Sequence, residues 1–265
     1  MPLNIPLRQK IAAQEKVAGV WLTLPSTAVA RTLASAPYVS WVLVKIVSNV
    51  CKDTFFYDLN NSIASCGASP IVRIPSEEPW LAKRALDSGA HGIMVPLANS
   101  AEAVRKIVSM TKYPPEGIRG FGPMYTHATG KLEAEYKETA NQDLLVAVQI
   151  EHPNAVKEID KIVETGIDIA FIGPFDLAVS MGVEFGGEEH EEAIAKVLAA
   201  CQKAGKAAGI YCACVDGRQA KKRFDQGFQM ASVTADISIL QSALAAETGI
   251  ATAQATETFE EGFTS

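Results

Sequence analysis

Five cysteines in 265 residues, odd in number and scattered, are too few and too irregular for a disulfide framework. Cys212-Ala213-Cys214 lacks the two-residue spacer of redox and zinc motifs, and strand alternation would point both thiols the same way. Cys51, Cys66, Cys201, Cys212 and Cys214 therefore read as plain buried thiols of a reducing compartment. Long hydrophobic runs are also missing. Nothing approaches the roughly 20 apolar residues of a membrane span, and the opening MPLNIPLRQK has no apolar secretion core. A soluble, cytoplasmic protein is expected. Basic charge is scarce as well: 24 Lys and Arg against 30 Asp and Glu give a net charge of −6. That balance argues against nucleic acid and anionic membranes as partners. Small anionic substrates stay open, because a local arginine or a metal reverses the field inside a pocket.

What the chain does have is apolar material for one large core: 48% hydrophobic against 20% charged residues. Short continuous apolar runs, as in strands buried on both faces, occur at Val17–Leu24, Trp41–Val47, Pro70–Ile74 and Gly92–Pro96. Four more follow at Leu144–Glu151, Ile167–Gly173, Ala207–Cys212 and Phe228–Thr234. Helical patterns lie between them, among them Pro79–Ser88, Ser100–Thr111, Asn154–Thr165, Glu188–Ala204 and Gly217–Gln226. Gly89, Gly166 and Gly227 close helices as C′ glycines. Eight βα units in one chain of this length predict a single-domain (β/α)₈ TIM barrel over residues 1–265 rather than a doubly wound sheet. One connection, Lys112–Gln142, is long and contains Gly117-Ile118-Arg119-Gly120-Phe121-Gly122-Pro123. A long loop at a barrel's functional rim would form part of a site. The tail after Ile250 is polar.

In a barrel the site lies at the C-terminal ends of the strands, so polar residues there carry the chemistry. Four qualify: Arg73, Gln149, Glu151 and Asp176. Glu151 and Asp176 end neighbouring strands, close enough to share a hard divalent cation such as Mg²⁺ or Mn²⁺. Equally, each could be an acid that satisfies helix N-terminal N–H groups. Arg73 could offer a bidentate fork to a substrate carboxylate, or make a rim salt bridge. The Gly120/Gly122 turn could present N–H groups to an anion, or be an ordinary turn.

Those residues carry a resemblance. Pro70-Ile71-Val72-Arg73, Tyr113-Pro114-Pro115-Glu116-Gly117-Ile118-Arg119-Gly120, Val148-Gln149-Ile150-Glu151 and Phe171-Ile172-Gly173-Pro174-Phe175-Asp176-Leu177 occur in that order. In this the chain resembles the HpcH/HpaI-type aldolases, the metal-dependent class II pyruvate aldolases, from Gly19 to about Ala245. The resemblance implies Glu151 and Asp176 as ligands of Mg²⁺ or Mn²⁺, with Co²⁺ or Zn²⁺ as alternatives. It implies Arg73 on the pyruvyl group, with Gln149, Gly122, Pro174 and Phe175 shaping the substrate pocket. The implied reaction is carbon–carbon cleavage of a small 2-oxo acid through a pyruvate enolate. Pyruvate, oxaloacetate and 4-hydroxy-2-oxo acids are the implied ligands, and the implied assembly is a homohexamer.

After the second strand the family carries Asp-x-Glu-His-Gly, whose Asp and His form the acid–base pair. Here the matching stretch is Lys45-Ile46-Val47-Ser48-Asn49, so the Asp becomes Lys45 and the His becomes Ser48. A retro-aldol step needs a base for the C4 hydroxyl, worth about 10²–10⁴-fold. Decarboxylation of oxaloacetate needs none, because loss of CO₂ delivers the electrons. Lys45 is read in three ways: a substitute base or Schiff-base lysine, the mark of a weak or inactive relative, or an artefact confined to Lys45–Lys52. His127, in the long connection, is the candidate surrogate base. His91 and His190 read as structural or surface residues, and His152 as pointing away from the site. The contrasting reading is a non-catalytic protein that binds metal and 2-oxo acid.

Overall fold

The structure is a computed structural model, and the residues it describes are 2–45, 53–123, 125–131, 133–212 and 217–252. Eight parallel strands close into a barrel in sequence order, β1-β2-β3-β4-β5-β6-β7-β8. In chain order the elements are α1 (Pro6–Ala12), β1 (Val17–Leu22), α2 (Thr27–Ala34), β2 (Val39–Lys45), α3 (Asp53–Ala64) and β3 (Ser69–Arg73). Next come α4 (Pro79–Asp87), β4 (Gly92–Val95), α5 (Ala101–Thr111), α6 (Glu133–Asp143) and β5 (Leu145–Ile150). Then follow α7 (Pro153–Lys157), α8 (Ile159–Ile162), β6 (Ile169–Ile172), α9 (Pro174–Met181) and α10 (Glu188–Ala204). The chain closes with β7 (Ala207–Tyr211), α11 (Gly217–Gln226), β8 (Met230–Ala235) and α12 (Asp236–Ala251).

The expected barrel is therefore present, with every strand at its expected place to within a few residues. The last two residues of the second expected strand, Ile46 and Val47, lie outside the described residues, as does Ser48. Two helical expectations change. The Asn154–Thr165 pattern forms two short helices, α7 and α8, because Glu158 between them leaves helical geometry at φ −93°, ψ 8°. The Lys112–Gln142 excursion holds a short 3₁₀ turn (Thr126–Thr129) and α6. Helix α6 carries little periodic signal in the sequence because its buried stripe is only Tyr136 and Ala140. Gly89 and Gly227 do close α4 and α11 in left-handed backbone, at φ +88° and +107°; Gly166 is left-handed too, at φ +98°, but stands beyond the end of α8 at Ile162 and caps no helix.

Two glycines make room for the barrel's largest side chains. A Cβ on Gly19 would stand 2.2 Å from the Trp41 ring, its register partner on β2. One on Gly209 would stand 2.4 Å from Phe171, its partner on β6. Trp41 and Phe171 then meet edge to face at 6.0 Å in the barrel interior. Fully buried, these rings fill the space under the site, and Trp41 Nε1 donates to the Val17 carbonyl at 3.3 Å.

At the N-terminal end of the barrel, His91 is buried and binds Ser69 Oγ at 3.1 Å and the Ala128 carbonyl at 2.8 Å. Ser69 Oγ already accepts the Leu7 N–H at 3.0 Å, so its proton goes to His91 Nδ1 and Nε2–H faces Ala128. Burial pushes this imidazole down to about 4, which keeps it neutral. His190 is likewise structural: Nδ1 accepts the Gly186 N–H at 3.0 Å and Nε2 donates to the Pro174 carbonyl at 2.8 Å. Cys201 is buried, with its thiol pushed up to about 12, while Cys66 is half-buried. Among the described residues no helix is long and apolar enough to cross a membrane.

Candidate active site

Parallel strands all end at one rim, so each contributes its last inward side chain to a common cleft. That cleft holds about 320 Å³ and is lined by Trp21 from β1, Lys45 from β2, Arg73 from β3, Gln149 from β5 and Tyr211 from β7. Glu151 follows β5, and Gly173, Pro174, Phe175 and Asp176 lie where β6 turns into α9. Thr23, Ala235, Ile237 and Ser238 complete the wall.

A hydrogen-bonded chain runs across the floor. Arg73 Nε donates to Gln149 Oε1 at 2.6 Å, and Gln149 Nε2 donates to Glu151 Oε1 at 2.7 Å. Glu151 Oε2 accepts the Leu97 N–H at 3.2 Å. Gln149 is thus fixed with its oxygen toward the guanidinium and its amide toward the carboxylate. Burial raises the Glu151 carboxyl above its ordinary range, and Asp176 adds to this. The Leu97 N–H, Arg73 and Lys45 act in the other direction. Burial also draws Arg73 below its ordinary value, against the opposing charges of Glu151 and Asp176.

The reading of Glu151 as a helix cap does not hold, because His152 takes that role: its Nδ1 accepts the Asn154 N–H at 3.1 Å. His152 is thereby engaged away from the cleft. Asp176 occupies the first turn of α9, and Gly173, the N-cap residue, has no side-chain cap bond. Gly173 is needed as glycine for another reason. A Cβ there would lie 2.5 Å from Glu151 Oε1, filling the cradle that holds this carboxylate.

The donor set suits a hard divalent ion. Two carboxylates, one directly after β5 and one in the first turn of α9 after the neighbouring β6, are with water and substrate oxygens what Mg²⁺ or Mn²⁺ takes when it keeps much of its hydration. Among the described residues no cluster of three or more His, Cys, Asp or Glu forms a fuller protein cage.

Of the expected site residues, Lys45, Arg73, Gln149, Glu151, Pro174, Phe175 and Asp176 converge on this cleft. Two do not, within one chain. Gly122 lines a separate cavity with Phe56, Trp80 and Lys83 on the outer wall. His127 is exposed on the 3₁₀ turn, whose neighbour Ala128 is tied to His91 just before β4. The reason is topological: residues 112–143 join a helix to the next strand, and such connections start from the end of the barrel opposite the site. Arg119 of this segment is fully buried, bonded to Asp87 Oδ1 at 2.7 Å and to the Tyr136 hydroxyl at 3.0 Å. Its guanidinium lies 4.5 Å from the Tyr113 ring centroid. The Tyr113–Gly120 motif is a strut on α4.

Trp21, Tyr211 and Asp236 are not among the expected site residues; the first two line the cleft and the third braces its rim. Trp21 packs edge-on against Tyr211 at 4.9 Å, and neither aromatic carries a sequence signal that separates it from core. Asp236 could have been found as an acid directly after β8. Its carboxylate is spent on the N–H groups of Thr23, Leu24 and Ile237 and on Thr23 Oγ1, each at 2.6–2.8 Å. It ties the rim of β1 to that of β8.

The HpcH/HpaI aldolase/citrate lyase family profile matches residues 10–243. The hydroxypyruvate/pyruvate aldolase of Paraburkholderia phytofirmans is 35% identical over 242 residues, 88% of this chain and 92% of that one. The 2-keto-3-deoxy-L-rhamnonate aldolase of Klebsiella pneumoniae is 32% identical over 249 residues, 91% of each chain. The crystal structure of an HpcH/HpaI aldolase/citrate lyase family protein from Burkholderia cenocepacia J2315 superposes with a TM-score of 0.84. It is 33% identical and covers 95% of this chain and 100% of that one. With its site residues at the ends of the barrel strands and this similarity along nearly its whole length, the chain belongs to the HpcH/HpaI aldolase/citrate lyase family.

Proposed function

We propose that this protein is a carbon–carbon lyase for small 2-oxo acids, working in the cleft between Arg73, Glu151 and Asp176. The observation that carries the reading is the Arg73–Gln149–Glu151 chain beside Asp176. It stands in a chain whose relatives are named as aldolases of hydroxypyruvate, pyruvate and a 2-keto-3-deoxy acid. Glu151 and Asp176 would hold Mg²⁺ or Mn²⁺, which supplies Lewis-acid polarisation of the keto oxygen.

The chain's own residues do the rest. Arg73 has Nε committed to Gln149, so its Nη groups face the substrate as a fork for carboxylate or developing oxyanion. Gln149 keeps Arg73 and Glu151 in fixed relation, so little reorganisation is needed as charge develops. Trp21, Tyr211 and Phe175 give the cleft apolar walls that limit water. Phe175 is itself braced by Phe185, stacked at 4.2 Å and 6°.

No histidine lies among the described residues lining the cleft, and its two carboxylates are assigned to the cation. A reaction that needs no added base suits such a site. In oxaloacetate the C3–C4 bond breaks, CO₂ leaves, its electron pair enters the C2–C3 bond, and solvent protonates C3 to give pyruvate. Aldol cleavage of a 4-hydroxy-2-oxo acid would be the weaker activity.

Self-association belongs to the same reading, with the hexamer as the expected state. Of the sixteen residues of α12 only Asp236 is buried, while Ile237, Leu240, Leu244 and Ile250 are 40–66% exposed. An apolar helix this bare supports a covering copy of the chain.

The test follows pyruvate release from oxaloacetate and from a 4-hydroxy-2-oxo acid, with and without Mn²⁺, for wild type and Glu151→Ala. Faster, Mn²⁺-dependent oxaloacetate turnover that Glu151→Ala abolishes is the expected outcome. Equal rates for the two proteins would remove the metal reading. Robust aldol cleavage without oxaloacetate turnover would overturn the order of activities. Mn²⁺ and pyruvate binding with no turnover would establish the non-catalytic alternative.

A further inference from the structure

Resting on the proposed function, we infer that Lys45 selects 2-oxo acids that carry a second carboxylate, by pairing with that distal group. The first support is position. Lys45 and Arg73 are register partners at the ends of β2 and β3, so their backbones stand about 4.8 Å apart. Both heads lie over one ring: Lys45 Nζ is 5.7 Å and Arg73 Cζ 5.9 Å from the Trp21 centroid. Two cations side by side on one aromatic wall match two carboxylates on one short carbon chain.

The second support is charge. The cleft's Lys45 and Arg73 balance Glu151 and Asp176. A divalent ion on the two acids leaves a surplus of two positive charges in a half-enclosed space. The substrate's 1-carboxylate with Arg73 uses one of them. Lys45 keeps the other, since it makes no ion pair or hydrogen bond among the described residues. With the Asp of the family pattern at this position the surplus would vanish, so Lys45 alters which substrates the field favours.

A lysine on the carboxylate that departs as CO₂ has a distinctive consequence. It strengthens ground-state binding of a charge that is lost in the transition state, so it lowers KM without raising kcat. Removal should therefore split the two constants.

The experiment titrates pyruvate and 2-oxoglutarate into Mg²⁺-loaded wild type, Lys45→Ala and Lys45→Arg, and then measures oxaloacetate kinetics. Wild type should prefer the dicarboxylate by about 10- to 100-fold, the span of one charge-assisted contact. Lys45→Ala should lose that preference with pyruvate affinity unchanged, while Lys45→Arg retains most of it. For oxaloacetate, KM should rise by a similar factor in Lys45→Ala, with kcat unchanged or higher. An unaltered preference in Lys45→Ala overturns the assignment, as does an equal loss for both ligands or a fall in kcat alone. If wild type binds pyruvate only with Mg²⁺ but Lys45→Ala changes nothing, the lyase reading stands and the Lys45 assignment fails. If Mg²⁺ makes no difference to pyruvate binding, it is the lyase reading that fails.

Discussion

Gln149 Nε2 stands 2.7 Å from Glu151 Oε1 while its own Oε1 takes the Arg73 Nε–H at 2.6 Å, so one amide orients both charged groups of the site. All three side chains are largely withdrawn from water, and no other donor among the described residues reaches Glu151 Oε1. Gln149→Ala should leave the fold intact but lower divalent-metal affinity about 10- to 100-fold, as loss of a partner behind a ligand does. Mn²⁺ titration monitored by electron paramagnetic resonance reads this directly. Wild-type affinity in the variant would show that Gln149 does not hold the carboxylate.

Gly173→Ala tests the cradle of that same carboxylate. The backbone at Gly173, φ −94° and ψ 89°, is open to any residue, so the effect comes from the side chain alone. The new methyl would meet Glu151 Oε1 at 2.5 Å and its Cγ at 2.8 Å, forcing the carboxylate aside. Stability should fall by about 1–3 kcal/mol, as overpacking does. Mn²⁺ affinity should drop at least tenfold. Urea unfolding and Mn²⁺ titration on the same preparation separate the two effects, and unchanged Mn²⁺ binding would contradict the cradle.

Acid sensitivity should trace to His91. Its folded value of about 4 lies below the 6.5 of an unfolded chain. Above pH 6.5 neither state is protonated and stability is flat. Between 6.5 and 4 the unfolded chain binds a proton that the fold refuses, so stability falls as pH falls. The full loss is about 3 kcal/mol. Urea midpoints from pH 7.5 to 4 should show that slope in wild type and a shallower one in His91→Gln. Parallel curves would exonerate this histidine.

Arg119 anchors the long connection and takes no part in the cleft. Replacing it with Met leaves Asp87 with Lys83 alone and removes the cation from between two tyrosine rings. A loss of about 1.5–3 kcal/mol follows from removing a hydrogen bond to a charged group whose second partner remains. Chemical denaturation should show it, with Mn²⁺ affinity of the folded variant unchanged. A variant as stable as wild type would mean the strut contributes nothing.

Much of this was legible in the sequence because it depends on local pattern. Apolar runs such as Val146-Ala147-Val148 and Ala170-Phe171-Ile172 can be strands only if both faces are buried, and glycines after helices mark where each unit ends. From that rhythm came the barrel, and from the barrel the rule that Arg73, Gln149, Glu151 and Asp176 share one rim. What local pattern lacks is the direction of a connection and the partner of a side chain. Gly122 and His127 looked eligible because their loop is long, yet a helix-to-strand connection leads away from the site. Trp21, an ordinary core residue in sequence, became the wall under two cations only when β1, β2 and β3 came together. Lys45 could be seen to be unusual only because it stands where the family pattern carries an Asp. That it stands beside Arg73, unpaired with any acid among the described residues, was decided by strand register, which links residues 28 positions apart through backbone hydrogen bonds rather than through anything their neighbours in sequence encode.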